Sequence, residues 1–513
     1  MIPLEHYAQE TPERVAYRLT PSGYQVTWSA LELRTRKCAA AMVSAGLHPG
    51  DTIAVFLENH PRYFEILIAA HRVGLYYATI SRHLKRDEVQ YIVDDADVKA
   101  LFCSPLTFGE VSCEALQGKG TLCITLDGHL PGTLNYDEWI SGYPDNVVLP
   151  NTPEGADFCY SSGTTGVPKG IKRPLETANK FFRVDASERN AWKDFNRDSV
   201  YLSTAPFYHT APVRWNMAIF KAGGTSIMME KFDPSQALAN IETFGVTHAQ
   251  WVPTMFIRML RLPEQDLNRY DLSSLRYAIH AAAPCPIEIK EAMINWWGPI
   301  LYEYYSGTEL VGRTSLNSHE WLEHKGSVGY PEFGNVHIVD EEGNELGPHQ
   351  PGVIYFSGGS RFEYHKSPEK TQQAYNSKGW ATYGDIGYLD DDGYLYLTDR
   401  LSNTIISGGV NIYPQEAENC LSLHPAVADV AVIGVPNDEF GEEVKAVVQL
   451  LDPSSASAAL KEALLAFCRS RISHVKCPKS IDFTTDMPRT ETGKLLKRLV
   501  KQRYWPAGTT LPR

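Results

Sequence analysis

From Ser29 to Ser104 the chain alternates helical and strand signals, and no other feature restricts its architecture as much. Ser29-Ala30-Leu31-Glu32 has the spacing of a capping box and predicts a helix through CAAAMVSAGL, with Gly46 past its end and Pro49 beyond. The apolar run TIAVFLEN (52–59) predicts a buried strand, Pro61 opens a second helix, PRYFEILIAAHRVG, and VKALFCS (98–104) predicts another strand. Strands that alternate with helices build a parallel sheet with helices on its faces. With 513 residues the chain exceeds a single core, and about 150 residues per domain suggests roughly three units.

The texture then changes twice. From Gly326 the segment GSVGYPEFGNVHIVDEEGNELGPHQPGVIYFSGG reads as short alternating strands punctuated by Gly, Pro and Asn, a small antiparallel subdomain or barrel. After Arg400 a helix opens at Pro414, DVAVIGVP and EVKAVVQLL read as strands, and SAALKEALLAFCRSRI has helical periodicity. The fold expected is therefore α/β: a large N-terminal domain of parallel-sheet subdomains plus a small β-barrel, then an α+β domain of roughly a hundred residues.

Charge and cysteine usage narrow the function classes. Forty-eight Lys and Arg against 61 Asp and Glu leave a net charge of −13, which argues against nucleic acid as a partner while permitting a local basic pocket. Nine cysteines lie scattered with no C-x-x-C, so neither a zinc site nor a disulfide framework is expected, and a reducing cytoplasm fits best. The start MIPLEHYAQETPERVAYR lacks a basic segment followed by an apolar run, so no signal peptide is expected. The longest apolar region, Tyr63 to Ile80, is interrupted by Glu65, His71 and Arg72, too soon for a transmembrane segment.

The chemistry is concentrated first in YSSGTTGVPKG (160–170). Four hydroxyls (Ser161, Ser162, Thr164, Thr165), glycines such as Gly163 that let a backbone approach closely, and the cation of Lys169 describe a seat for a polyanion, most simply nucleotide phosphates. It is not a P-loop, because Pro168 stands where the second glycine would be and Gly170 where the metal-binding hydroxyl would be. A bland surface linker has the same composition.

Four more stretches share this character at distant places: YYSGTE (304–309), YGDIGYLDDDGYLYLTDR (383–400), IISGGVNIYP (405–414) and PRTETGK (488–494). With these five motifs in order and spacing, the chain resembles the adenylate-forming superfamily of acyl-CoA synthetases, firefly-type luciferases and the adenylation domains of peptide synthetases. The resemblance covers nearly the whole chain. It implies ATP, Mg2+ and coenzyme A as cosubstrates and a small carboxylic acid as substrate. The implied layout is an adenylation domain over 1–399, a hinge at 400–403 and a mobile lid domain over 404–513, in a monomer or homodimer.

The implied roles can be set against what each residue is able to do. The 160s loop, Ser161 to Lys169, would embrace the pyrophosphate end of ATP. The ring of Tyr305 would stack on adenine, with Ser306 and Ala283 beside the nucleotide. Thr308 would donate to the α-phosphate, and Glu309, with Thr165, would hold magnesium as hard oxygen ligands. Asp385 would accept from the ribose hydroxyls, with Arg400 reaching the same sugar. Lys494 is the catalytic residue implied, its ammonium offsetting repulsion between the attacking carboxylate and the α-phosphate. Ser407-Gly408-Gly409 would border a pantetheine tunnel once the lid rotates. Where the superfamily usually has Asp or Lys at the hinge, this chain has Ser402 followed by Asn403.

The acyl site is expected between APFYHT (205–210), the following helix and AIHAAAPCP (278–286). Phe207, Tyr208 and His209 are candidate gates, and His280 and Ala281 replace smaller or polar residues ahead of the Ala-Pro. Trp215, Met217, Ile219 and Phe220 are candidate walls or plain core. No Asp is placed to hold an amino group, which favours a hydrophobic acid, fatty or cyclic. Delivery to a carrier protein, oxidation as in luciferases, and a noncatalytic nucleotide- or acyl-binding relative are the alternatives.

Overall fold

The computed structural model describes residues 4–161, 168–175, 194–489 and 495–505. Two parallel sheets form the body of the molecule. The larger has nine strands among the described residues; its spine runs Leu301–Ser306, Tyr277–His280, His248–Trp251, Val200–Ser203, Thr225–Met229 and Val15–Thr20, all parallel. Antiparallel pairs close both edges. The second sheet places Thr52–Phe56 between Tyr76–Thr79 and Val98–Cys103, extended by Leu122–Thr125, Leu134–Asn135 and Ala156–Asp157, again all parallel. Every residue of Thr52–Phe56 is buried, as expected of a strand covered on both faces.

The two helices expected between these strands form, with one shift. The first spans Trp28–Ser44, and its cap is Thr27, whose hydroxyl accepts from the Ala30 amide at 3.3 Å. The Ser29–Glu32 box is not used, because the Glu32 carboxylate is bound instead to Arg36 and Arg72. The second helix, Tyr63–Arg72, has Tyr63, Phe64, Ile66, Leu67 and Ile68 fully or almost fully enclosed. Both helices pack in one apolar cluster with Phe207, Trp215, Ile219 and Phe220, so the core sits between the two sheets.

The antiparallel region takes the order Asn335–Val339, Gly352–Ser357, Ala381–Leu389, Leu395–Arg400. It is an open four-stranded sheet rather than a closed barrel, with Gly329 bridged to Leu395 on its last strand. Beyond Arg400, Gly441–Leu450 pairs with the long strand Val427–Asn437 and, in parallel, with Ser480–Thr484. Helices Gln415–Ser422 and Ala458–Arg469 cover this sheet and share an apolar core of their own. The α/β reading with a small C-terminal α+β unit is borne out.

All nine cysteines are free thiols, eight of them buried. Among the described residues no helix is long and apolar enough to cross a membrane, and no three or more His, Cys, Asp or Glu side chains are gathered to hold a metal ion.

Candidate active site

Ligand sites of parallel sheets lie beyond the carboxyl ends of the strands, where loops diverge. Here Leu301–Ser306 runs into Gly307 and Glu309, Tyr277–His280 into the Ala281–Ala283 turn, and Val200–Ser203 into Phe207 and His209. In the second sheet, Ala156–Asp157 runs into the two-stranded ribbon that bounds the 160s loop. Motifs separated by more than a hundred residues are thus gathered at neighbouring strand ends.

The nucleoside end is built by strand register. Asp385 pairs directly with Arg400 across the ladder, and the Arg400 Nε lies 3.2 Å from Asp385 Oδ1. Tyr305 donates its hydroxyl to Asp385 Oδ2 at 2.6 Å. The ladder between Gly352–Ser357 and Ala381–Leu389 is irregular here: Val353 pairs with Ile386 but Tyr355 with Thr382, and Gly384 takes a φ of +78°. This bulge releases Tyr383 to Asp385 from pairing with Gly352–Ser357, while Asp385 stays paired with Arg400, and the Tyr383 ring and Asp385 carboxylate both meet Tyr305. The carboxylate and the half-exposed guanidinium reinforce each other, and Asp385 holds the Arg400 pKa above its ordinary value. Burial, then Asp385, drives the Tyr305 phenol well above its own, so it stays a donor. Ser306 Oγ donates to the Gly312 carbonyl at 2.9 Å, and a Cβ on Gly307 would meet the Tyr383 ring at 2.3 Å. Only glycine fits between Ser306 and Thr308, which is half-buried.

The phosphate end is held by a different set. Antiparallel strands Cys159–Ser161 and Lys169–Ile171 pair Ser161 with Lys169 and Gly170 with Tyr160, pinching the base of the loop. Ser162, Gly163, Thr164 and Thr165 lie outside the described residues, as does the Ser161 side chain. The Lys169 ammonium sits 4.8 Å over the ring of Tyr364, and burial together with the charge of Lys370 lowers its pKa. Glu309 follows Gly307 in a tight turn closed by the Leu310 amide on the Gly307 carbonyl at 3.2 Å, with Leu310 at a φ of +55°. Its Oε1 accepts from the Tyr364 hydroxyl at 2.8 Å. Oε2 carries no bond to any described residue, so a hard oxygen donor suited to Mg2+ is present. A cavity of about 1000 Å³, lined in part by Ser360, Arg361, Lys366 and Thr371, opens beside Tyr364.

The expected acyl-site residues divide. Half-buried His209 caps the helix Thr210–Ala222, its ring 4.4 Å from that of Tyr208. Phe207 is completely enclosed, its ring edge-on to Tyr63 and Phe64 at 5.3 and 5.0 Å, so it belongs to the core and not to a gate. Trp215, Met217, Ile219 and Phe220 are likewise core, at most 2% exposed. His280 is also enclosed: it meets Phe256 edge-on and lies 3.6 Å from Glu303, which holds Lys290 at 2.5 Å. Burial, helped by the Lys290 charge, pushes His280 well below the usual histidine range and keeps it neutral. It therefore packs behind the strand and not on a cavity floor. Ala281 is buried, Ala283 is half-buried, and Ala282 between them takes a φ of +75°, a conformation natural to glycine.

At the junction with the C-terminal unit, residues 401–403 form a single 3-10 turn. Gly408 and Gly409, at φ +57° and +79°, make the two-residue turn between Ile405–Ser407 and Val410–Ile412, a geometry that demands positive φ at both positions. Arg261 donates to the Val427 carbonyl at 2.9 Å and so ties the two units together. Lys494 lies outside the described residues, while Arg489 at the base of its loop is paired with Asp429.

Residues 4–363 match the sequence profile of AMP-binding enzymes, and residues 416–494 that of the AMP-binding enzyme C-terminal domain. The chain belongs to the AMP-binding enzymes, the adenylate-forming superfamily. A feruloyl-CoA synthase of an Amycolatopsis species is 32% identical over 97% of both chains. A fatty acid–[acyl-carrier-protein] ligase of Streptomyces coeruleorubidus is 30% identical over 97% of this chain and 95% of its own. Among solved structures, ATP-bound MatB from Rhodopseudomonas palustris superposes with a TM-score of 0.82 at 26% identity, covering 98% of this chain and 99% of that one. As an AMP-binding enzyme the chain carries two tyrosines at the site to which its sequence reading gave no role. Tyr364 comes from a segment without the Gly/Ser/Thr texture, and only the folded chain brings it to Glu309; Tyr383 opens the 383–400 motif, but its contact with the Gly312 carbonyl is likewise made only by the fold.

Proposed function

We propose that the protein is an AMP-forming acid–CoA ligase that activates a hydrophobic carboxylic acid and passes the acyl group to coenzyme A. The observation that carries this reading is the convergence of Tyr305, Asp385 and Arg400 at one end of a cleft with Glu309, Tyr364 and Lys169 at the other. Such a cleft matches a nucleotide from its base to its phosphates.

Each residue then has a task. Asp385, held by Tyr305 and Arg400, accepts hydrogen bonds from the ribose, while the Tyr305 face stacks on adenine. Thr308 donates to the α-phosphate. Lys169 and the hydroxyls of the 160s loop bind the leaving end of the triphosphate. Glu309 holds magnesium, which when bound neutralises charge on the departing pyrophosphate. We assign Lys494 the task of offsetting repulsion between the substrate carboxylate and the α-phosphate. An oxygen of the acid attacks the α-phosphorus, the bond to pyrophosphate breaks, and Lys494 stabilises the charge gathered in that transition state. In the second step the coenzyme A sulfur attacks the acyl carbonyl and AMP leaves. For that step we assign residues 1–399 to the adenylating domain, 400–403 to a hinge and 404–513 to a lid whose Gly408–Gly409 turn borders the pantetheine.

A panel of fatty, cyclic and aromatic acids assayed for AMP release with free coenzyme A tests the reading. Acid-dependent AMP and thioester formation are expected, and Lys494→Ala should lower adenylation by about 100-fold or more, the scale of losing one transition-state donor. Absence of pyrophosphate–ATP exchange with every acid would refute it. The 30% identical fatty acid–carrier-protein ligase favours one second reading, transfer to a carrier-protein arm. AMP release that needs a carrier protein and ignores free coenzyme A would select it.

A further inference from the structure

Tyr364 joins three parts of the site that are far apart in sequence. Its hydroxyl donates to Glu309 Oε1 at 2.8 Å, and its ring lies 4.8 Å beneath the Lys169 ammonium. Its backbone bridges antiparallel to Ile171, and the neighbouring His365 amide donates to the Gly170 carbonyl at 2.8 Å. One residue therefore touches the strand leaving the phosphate loop, the lysine of that loop and the carboxylate assigned to the metal. Its own main chain is fixed independently, by the bridge to Ile171 and by the Tyr364 amide donating to Thr371 Oγ1 at 2.9 Å.

The chemistry of the two contacts differs. A carboxylate with one oxygen accepting from a neutral phenol keeps its full charge, and the bond restrains the rotation of the group, so the second oxygen is presented to a cation. An ammonium above an aromatic face is held by the ring quadrupole; the Glu309 charge reaches Lys169 only from beyond salt-bridge distance, so the cation stays available to phosphate. Resting on the nucleotide assignment above, we infer that Tyr364 is a positioning residue for adenylation: its hydroxyl aims Glu309 at the divalent cation and its ring aims Lys169 at the phosphates.

Two variants separate the contacts, because Tyr364→Phe removes the hydroxyl and keeps the ring, while Tyr364→Leu removes both. Binding of ATP to the full chain is measured calorimetrically across a Mg2+ titration and without magnesium, beside thermal melting. For Tyr364→Phe the half-saturating Mg2+ concentration should rise about tenfold, the scale of a hydrogen bond to a charged group, with metal-free ATP affinity unchanged. Tyr364→Leu should show the same Mg2+ shift and also lose about two- to fivefold in metal-free ATP affinity. In a Glu309→Gln background the Mg2+ effect of Tyr364→Phe should vanish, since the two act through one contact. An unchanged Mg2+ requirement in Tyr364→Phe overturns the inference, as does an equally large effect in the Glu309→Gln background. Equal losses of metal-free ATP affinity in both variants also overturn it, because the ring would then have no separate task. Binding needs no acid, so a wild-type chain that binds Mg·ATP but activates no acid would end the ligase reading and leave the positioning of Mg·ATP by Tyr364 intact.

Discussion

The two ends of the cleft are built by different means. At the nucleoside end Asp385 and Arg400 are cross-strand partners, placed by the ladder before their side chains meet. At the phosphate end Glu309 stands in a turn and Lys169 on a two-stranded ribbon, and a tyrosine from a third loop connects them. Side chains set by sheet register inherit the rigidity of many backbone hydrogen bonds, whereas those on loops keep only the few bonds of their own. Polar partners should therefore be hardest to replace at the ladder end, while the loop end should respond to ions and pH.

The largest effect is expected at the ladder. Asp385→Ala removes an acceptor used by both Tyr305 and Arg400 and assigned to the ribose, so kcat/KM for ATP should fall about 100-fold, the loss of a charged hydrogen-bonding group. A loss below tenfold would show that register alone does not define this end. Tyr305→Phe keeps the stacking face and removes one donor to that carboxylate, and steady-state kinetics should show a loss of about tenfold. A Tyr305→Phe enzyme as impaired as Asp385→Ala would mean that the hydroxyl contacts the substrate itself.

A smaller effect at the loop end depends on pH. Lys169 loses its proton at lower pH than an exposed lysine, because burial and the Lys370 charge both disfavour its cation. ATP binding should thus weaken as pH rises through this lowered pKa. Lys370→Gln removes the repelling charge, so the alkaline limb of the kcat/KM profile should move to higher pH; a limb that stays in place would exclude Lys169 as its source. The smallest effect concerns Ala282, whose left-handed backbone costs about 1–2 kcal/mol. Ala282→Gly relieves that strain but costs roughly 0.5–1 kcal/mol in unfolded-chain entropy, so a net gain of about 0.5–1 kcal/mol should appear in urea unfolding. Destabilisation would mean that the methyl group is packed well enough to hold the strain.

Much of this was legible before folding was considered. The alternation through Thr52–Phe56 and Tyr63–Arg72 specified covered parallel strands, because a segment apolar on every face has nowhere else to go. The Gly408–Gly409 turn fits residues that, lacking a Cβ, take positive φ without strain. Helix starts were less secure: Thr27 displaced Ser29 as cap once Arg36 and Arg72 had claimed Glu32. Phe207 and His280 read as pocket residues for a similar reason. A large aromatic or a histidine after a strand has the same local signature whether it faces a ligand or a core, and only packing against Tyr63, Phe64 and Phe256 decided it.

The sequence by itself determined which segments are polar, apolar or glycine-bound, and with them the layered α/β architecture and the family, since these properties act over a few residues. The tertiary structure alone decided who meets whom: that Asp399 accepts from Asn403 and from the Gln415 amide across the turn at 401–403, and that Tyr364 stands between Lys169 and Glu309. Apart from the local Asn403 bond, these contacts join positions from 16 residues apart, as for Gln415, to 55 and more, as for Glu309 and Lys169 with Tyr364, and their energies depend on distance and burial, which no local pattern encodes.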